Sequence, residues 1–126
     1  MKRLSLLLFM VVFIVGCSSK NKELLNEPPI TIKLNELQKY WTRTQNSISF
    51  SNSFIPPKES GFVKVKILID SNGEVFNPVI IESKGGWDKS ALRAIKEEHY
   101  VSTESNFRKI PVYVIKKFSF SAPTKI

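Results

Sequence analysis

The clearest periodicity in the chain lies between Gly61 and Asp70, where Val63, Val65, Ile67 and Ile69 alternate with Lys64, Lys66 and Asp70. A period of two predicts a strand with the aliphatic set on a buried face and the polar set on the other. Ser71-Asn72-Gly73-Glu74 follows as a turn, Asn-Gly being the favoured hairpin dipeptide because both residues tolerate positive φ. Val75 to Ser83 resumes as the partner strand, with Val75, Val79 and Ile81 facing one way. Pro78 cannot donate a ladder bond, which predicts an edge position. Ser83-Lys84-Gly85-Gly86 ends that strand. Asp88 then fits a helix N-cap, its carboxylate placed for the first amides. Trp87 and Leu92 have the spacing of a hydrophobic staple. Ala91, Leu92, Ile95 and His99 form the apolar stripe of a helix ending near His99 or Tyr100. A polar loop with Ser102, Ser105 and Asn106 leads to a last strand, Ile110 to Phe120, with Val112, Val114, Phe118 and Phe120 inward.

Strand, strand, helix, strand predicts an α+β fold: a small antiparallel or mixed three-stranded sheet with one packed helix. Strands joined across a helix run parallel through a right-handed crossover. The first strand therefore takes the middle, and both outer strands keep a free edge. Upstream, Ile30, Leu34, Leu37 and Trp41 recur at spacings of four, three and four, one face of a helix over about 33–43. Thr31 and Asn35 are its candidate caps. From Ser47, Ile48, Phe50 and Phe54 alternate with polar residues as an edge strand or extended arm, stopped by Ile55-Pro56-Pro57.

The first residues read as an export signal. Lys2 and Arg3 precede an apolar run from Leu4 to Val15 broken only by Ser5, and the composition turns polar after Cys17. The run is short of the roughly 20 apolar residues of a membrane helix. Ile14-Val15-Gly16-Cys17 resembles the lipobox of bacterial lipoproteins. The resemblance implies cleavage after residue 16 and lipidation of Cys17. Ser18, rather than Asp, implies the periplasmic face of the outer membrane, with the inner membrane second. Residues 17–30, polar with Pro28-Pro29, then serve as a lipidated tether, 31–54 as the N-terminal helix and arm, and 55–126 as the domain.

Composition narrows the function. The sequence has 126 residues and a formal net charge of +8. Loss of residues 1–16 would leave 110 residues and, without Lys2 and Arg3, a charge of +6. That is one small domain and a tether. In the periplasm the basic balance suits anionic lipid, cell-wall polymer or an acidic peptide better than nucleic acid, and the lysines, scattered without interleaved aromatics, read first as a solvated basic surface. The single cysteine is assigned to lipid and the single histidine, His99, sits near a helix end. No nucleophile–base pair and no zinc set can be assembled from them. Glu97 and Glu98 are adjacent and point to different parts of the helix surface, and Gly85-Gly86 lacks the context of a phosphate loop. An enzyme, a cofactor and a metal site are therefore not expected.

Over about residues 55–120 the pattern resembles the C-terminal domain of the TonB family. The matching residues are Gly61, the alternation from Val63 to Ile69, Asp70 with Gly73, Val75, and Ser83 before the glycine pair. Trp87-Asp88-Lys89-Ser90-Ala91-Leu92, Ala94-Ile95, Tyr100, and Pro111-Val112 leading to Phe118 complete it. Glu98 stands where the family commonly has Trp, and Ser102 where it has Pro. Ile55-Pro56-Pro57 is closer to the first strand than the family's Tyr-Pro segment. An energy transducer of this family also needs an uncleaved inner-membrane helix and a long Pro-rich span, neither of which the sequence displays. The resemblance implies a tethered docking or adaptor module that pairs a sheet edge with an extended peptide of an outer-membrane transporter or another envelope protein. Carried over, the edge is Val112, Tyr113, Val114, Ile115, Lys116, Lys117 and Phe118, with Lys116 and Lys117 attracting acidic residues. Lysines on an edge strand also discourage aggregation. The other readings are a structural or assembly lipoprotein, homodimeric through the same edge or part of an envelope complex, and a cell-wall polymer binder. The stripe from Ile30 to Trp41 favours the assembly reading.

Overall fold

The computed structural model describes residues 22–44 and 54–123. Cys17, the apolar run before it and most of the arm from Ser47 lie outside the described residues. Nine elements follow in chain order. They are β1 (Ile30–Thr31), a 3-10 helix (Leu34–Lys39), β2 (Trp41–Arg43), β3 (Gly61–Ile69), β4 (Val75–Lys84), α1 (Asp88–Lys96), β5 (Tyr100–Ser102), a second 3-10 turn (Glu104–Asn106) and β6 (Val112–Phe120).

The fold class is α+β as expected, but the main sheet has four strands rather than three, in the order β1-β6-β3-β4. β3 pairs antiparallel with both β4 and β6, and β1 runs parallel to β6. A separate two-stranded sheet joins β2 to β5. The period-two reading of β3 holds: Val63, Val65, Ile67 and Ile69 are all buried, with Val112 and Val114 beside them and Ala91 and Ile95 of α1 above. Two indole nitrogens are satisfied at the rim of this core. Trp87 Nε1 donates to the Glu59 carbonyl (2.8 Å) and Trp41 Nε1 to that of Ile110 (2.9 Å). Trp87 also stacks on Phe120, centroids 4.7 Å apart, which shields the far end of β6.

Several expectations are corrected, each for a local reason. The opposite face of β3 is not wholly polar. Leu68 is buried between its register neighbours Phe76 and Tyr113. Asp70 is buried as well, its Oδ1 accepting from the amides of Asn72 (2.9 Å) and Glu74 (3.0 Å). That carboxylate organises the turn, closed by Gly73 N donating to the Asp70 carbonyl, and only Gly73 has positive φ. A Cβ on Gly73 would fall on the Tyr100 carbonyl, so the position is closed to side chains on both counts. In β4, Val75, Val79 and Ile81 do not face one way: Val75 and Ile80 pack on the core, while Val79 and Ile81 are exposed. Register shifts opposite Lys64/Val65 and Lys66/Leu68, with Asn77 at φ 51°, insert extra residues and reverse the phase of the strand. Pro78 does lie in an edge strand.

The helix begins at Asp88, but Trp87 occupies the cap position and the Asp88 carboxylate makes no capping bond. It ends at Lys96, leaving His99 exposed and outside the apolar stripe. The expected helix over 33–43 is a six-residue 3-10 helix followed by β2. Its stop is built from the loop after β5. Thr103 and Ser105 hydroxyls donate to the Lys39 carbonyl (2.7 and 2.8 Å), and Asn106 Nδ2 donates to that of Tyr40 (3.0 Å). Carbonyls taken in this way are lost to a continuing helix, and β2 instead finds a ladder on β5. Part of the segment expected as a tether, residues 24–26, is hydrogen-bonded to the domain. Leu24 N donates to Asp70 Oδ2, Ser71 N to the Leu24 carbonyl and Asn26 N to Ser71 Oγ, so the chain is held from Leu24 onward.

Candidate functional site

β6 uses one side of its backbone for β3 and presents the other to β1 and to solvent. Ile30 N donates to the Pro111 carbonyl (3.1 Å) and Ile32 N to that of Tyr113 (3.0 Å). Residues two apart in a strand turn their polar groups to the same side. Ile115, Lys117 and Ser119 therefore aim N–H and C=O at this edge, past the end of β1. Among the described residues no strand pairs with them. Among the described residues, the edge inferred from the sequence is thus covered at Val112 and Tyr113 and unpaired from Ile115 onward.

The side chains of the predicted edge divide between two faces. Val112 and Val114 are buried on the core side, where Phe118 also packs. Tyr113, Ile115 and Lys117 lie on the outer face. Lys66 Nζ stands 5.1 Å from the Tyr113 ring centre, and Lys117 Nζ stands 4.8 Å from that of Phe62. Lys64 is paired with Glu82 at 3.1 Å, which leaves Lys66 and Lys117 as cations of this face without an acidic side-chain partner among the described ion pairs.

Lys116 faces inward and is not available to an acidic peptide. It is 13% exposed and donates to Glu98 Oε1 at 2.5 Å and to the Tyr100 hydroxyl at 2.8 Å. Tyr100 OH donates to Glu98 Oε2 at 2.7 Å, and Arg43 Nη1 reaches Oε1 at 3.3 Å. Three side chains, Arg43 of β2, Tyr100 of β5 and Lys116 of β6, thus share the buried carboxylate of Glu98, which lies just past α1 and is 5% exposed. Burial pushes the Lys116 ammonium below its ordinary pKa, the Glu98 hydrogen bond and charge pull it back up, and Arg43 pushes it down further. Burial, then the hydrogen bond and charge of Glu98, hold the Tyr100 phenol well above its ordinary value. A folded-state pKa raised in this way contributes stability that is whole below the unfolded value of 10.0 and is lost as pH rises further. In an alkaline absorbance titration, Tyr100→Phe is expected to match the parent until the domain unfolds. An extra tyrosinate ionising near pH 10 in the folded parent would contradict the assignment.

The sequence pointed to β6 through its alternation but gave no sign of β1, which at two residues falls below any periodic window. Nor did it pair Glu98 with Lys116, which lie 18 positions apart. Among the described residues no group of three or more His, Cys, Asp or Glu is placed to hold a metal, and no helix is long and apolar enough to cross a membrane.

A twisted sheet covered on one face by a helix, with part of the outer edge of its last strand unpaired among the described residues, defines a small α+β domain suited to adding a strand. The family described as Gram-negative bacterial TonB protein C-terminal matches residues 55–122, and the chain belongs to it. Membership makes this a TonB-like partner-binding module of the Gram-negative envelope. Searches of curated proteins and of solved structures gave no match.

Proposed function

We propose that the protein is a non-enzymatic docking or adaptor module, anchored by lipid on Cys17 at the periplasmic face of the outer membrane, that binds an extended segment of an envelope protein along β6. It transduces no energy of its own. The observation that carries this reading is the row of outward backbone groups at Ile115, Lys117 and Ser119. Such an edge supplies donors and acceptors to an incoming peptide, and the side chains beside it supply selectivity. The lipobox-like Ile14-Val15-Gly16-Cys17 supports the anchor. Lipid attached there would leave only a few residues between the membrane and the held segment at Leu24, keeping the edge near outer-membrane partners.

Ile115→Pro tests the edge directly. It removes an N–H that faces away from β3, so the internal ladder is kept, and proline is accepted on edge strands. With a photocrosslinking residue at Lys117 in cells, the expected result is a crosslinked envelope protein that disappears with Ile115→Pro while the urea midpoint is held. Crosslinks indifferent to the proline would refute pairing through this edge. Crosslinks to a second copy alone would favour a homodimeric assembly protein instead.

A further inference from the structure

We infer that the segment following β1 builds a selectivity groove for the strand that docks on β6. The partner is then an extended peptide with an apolar side chain opposite Ile115 and an acidic side chain two positions away, opposite Lys117. This rests on the edge reading above and adds what the edge selects.

β1 leaves β6 after Thr31. The buried Ile32 pins its exit, and Lys33 turns the chain into the 3-10 helix, whose Leu34 is left 46% exposed. On β6, Ile115 is 45% exposed. Between these two side chains opens a groove of about 590 Å³, with Tyr113 along it and Lys33, Lys66 and Glu36 also lining it. It begins where β1 stops covering the edge, so a strand continuing along β6 passes directly beside it. In such a strand the residue opposite Ile115 projects to the same face as Ile115, which is the face of the groove. The apolar walls, Leu34 and Ile115, fit an aliphatic side chain.

Charge sets the second requirement. The residue two positions along the docked strand shares the face of Lys117. Lys117 is exposed, with its ammonium over Phe62. Lys116 is on the other face and already neutralised by Glu98. Lys66 and Lys33 add positive charge around the groove, with Glu36 its single acidic lining residue among the described residues. A second copy of β6 would bring another basic strand to a basic edge, so an acidic segment of a different protein fits better. Thr31 to Glu36 lie outside the family-matched residues 55–122, so this wall belongs to the chain's own N-terminal segment.

The test uses the full-length chain in detergent and a displayed library of random ten-residue peptides. Selection is repeated on Leu34→Glu, Leu34→Ser, Lys117→Glu and Ile115→Pro, each checked by circular dichroism and urea midpoint. Peptides enriched on the parent are expected to carry an acidic and an aliphatic residue two positions apart. Their affinity should fall roughly tenfold or more on both Leu34 variants, which remove apolar burial at the wall. Lys117→Glu should exchange the acidic preference for a basic one. Peptides that are lost on Ile115→Pro but keep full affinity on both Leu34 variants would overturn the groove while leaving the edge intact. Peptides that bind Ile115→Pro equally well, or no enrichment at all, would overturn the edge reading and the groove with it. Self-association of the parent in place of peptide selection would also overturn the groove, giving the site to a second copy.

Discussion

Replacing Glu98 with Ala is expected to cost the domain about 3–5 kcal/mol, the usual penalty for removing one partner of a buried ion pair. The loss is not the worth of a salt bridge alone. Without the carboxylate, Lys116 stays on the core side of β6 with an ammonium and the Tyr100 hydroxyl for company, and Arg43 is left facing them. Arg43 is 38% exposed and screened by solvent, so its share is small. Urea unfolding of Glu98→Ala measures the drop, and a loss below about 1 kcal/mol would show that water replaces the carboxylate without cost. The double variant Glu98→Leu with Lys116→Leu separates the two contributions. Removing both charges together should restore most of the stability, because a buried pair is commonly no better than an apolar pair of similar volume. Full loss in the double variant would assign the cost to packing at Glu98 instead.

Asp70→Ala is the second large effect, expected at about 3 kcal/mol. The carboxylate is buried and accepts from three backbone amides, those of Asn72, Glu74 and Leu24. Each hydrogen bond to a charged group contributes about 1.5–3 kcal/mol, and bonds that share an acceptor group do not add in full. Asp70→Asn retains one acceptor oxygen and should lose roughly half as much. Two of the amides hold the turn between β3 and β4, while the third pins the incoming chain. Amide exchange should therefore rise at Leu24 and through β1 in Asp70→Ala, beyond the rise at the turn. Exchange that increases at Asn72 and Glu74 alone would mean that the N-terminal segment is held without Asp70.

How much of this was legible in the sequence depended on how local each cause was. β3 could be read because its alternation is imposed residue by residue by one buried face, and β6 likewise. The helix start was found to within a residue because Trp87-Asp88 sits at a change of period. β4 was placed at the edge by Pro78, yet its faces were misassigned because the extra residues near Asn77 are settled by pairing with β3. The helix over 33–43 failed for the same kind of reason. Its stripe was sound at Leu37 and Trp41, but Thr103, Ser105 and Asn106 take the carbonyls at its end. At the candidate site, the alternation that turned Val112, Val114, Phe118 and Phe120 inward placed Lys116 with them and could not say what would neutralise its ammonium. That falls to Glu98, a residue the family resemblance marked only as a departure.

The placement of β1 also sets an order of events when the chain is made. Ile30 pairs with Val112, Trp41 with Ser102, and Leu24 with Ser71, so every anchor of the first described segment lies far downstream. In a chain delivered from its N-terminus, this segment waits for about 80 residues before its last partner exists, and contacts at such separation form late. The β3–β6 pairing can form first, and during that interval the whole length of β6 stands bare. With only two residues in its ladder, β1 is also among the first elements to open again. The newborn protein and the briefly frayed one therefore share a state in which the edge is longer than in the finished fold. The lysines on that strand then guard it against pairing with the wrong neighbour.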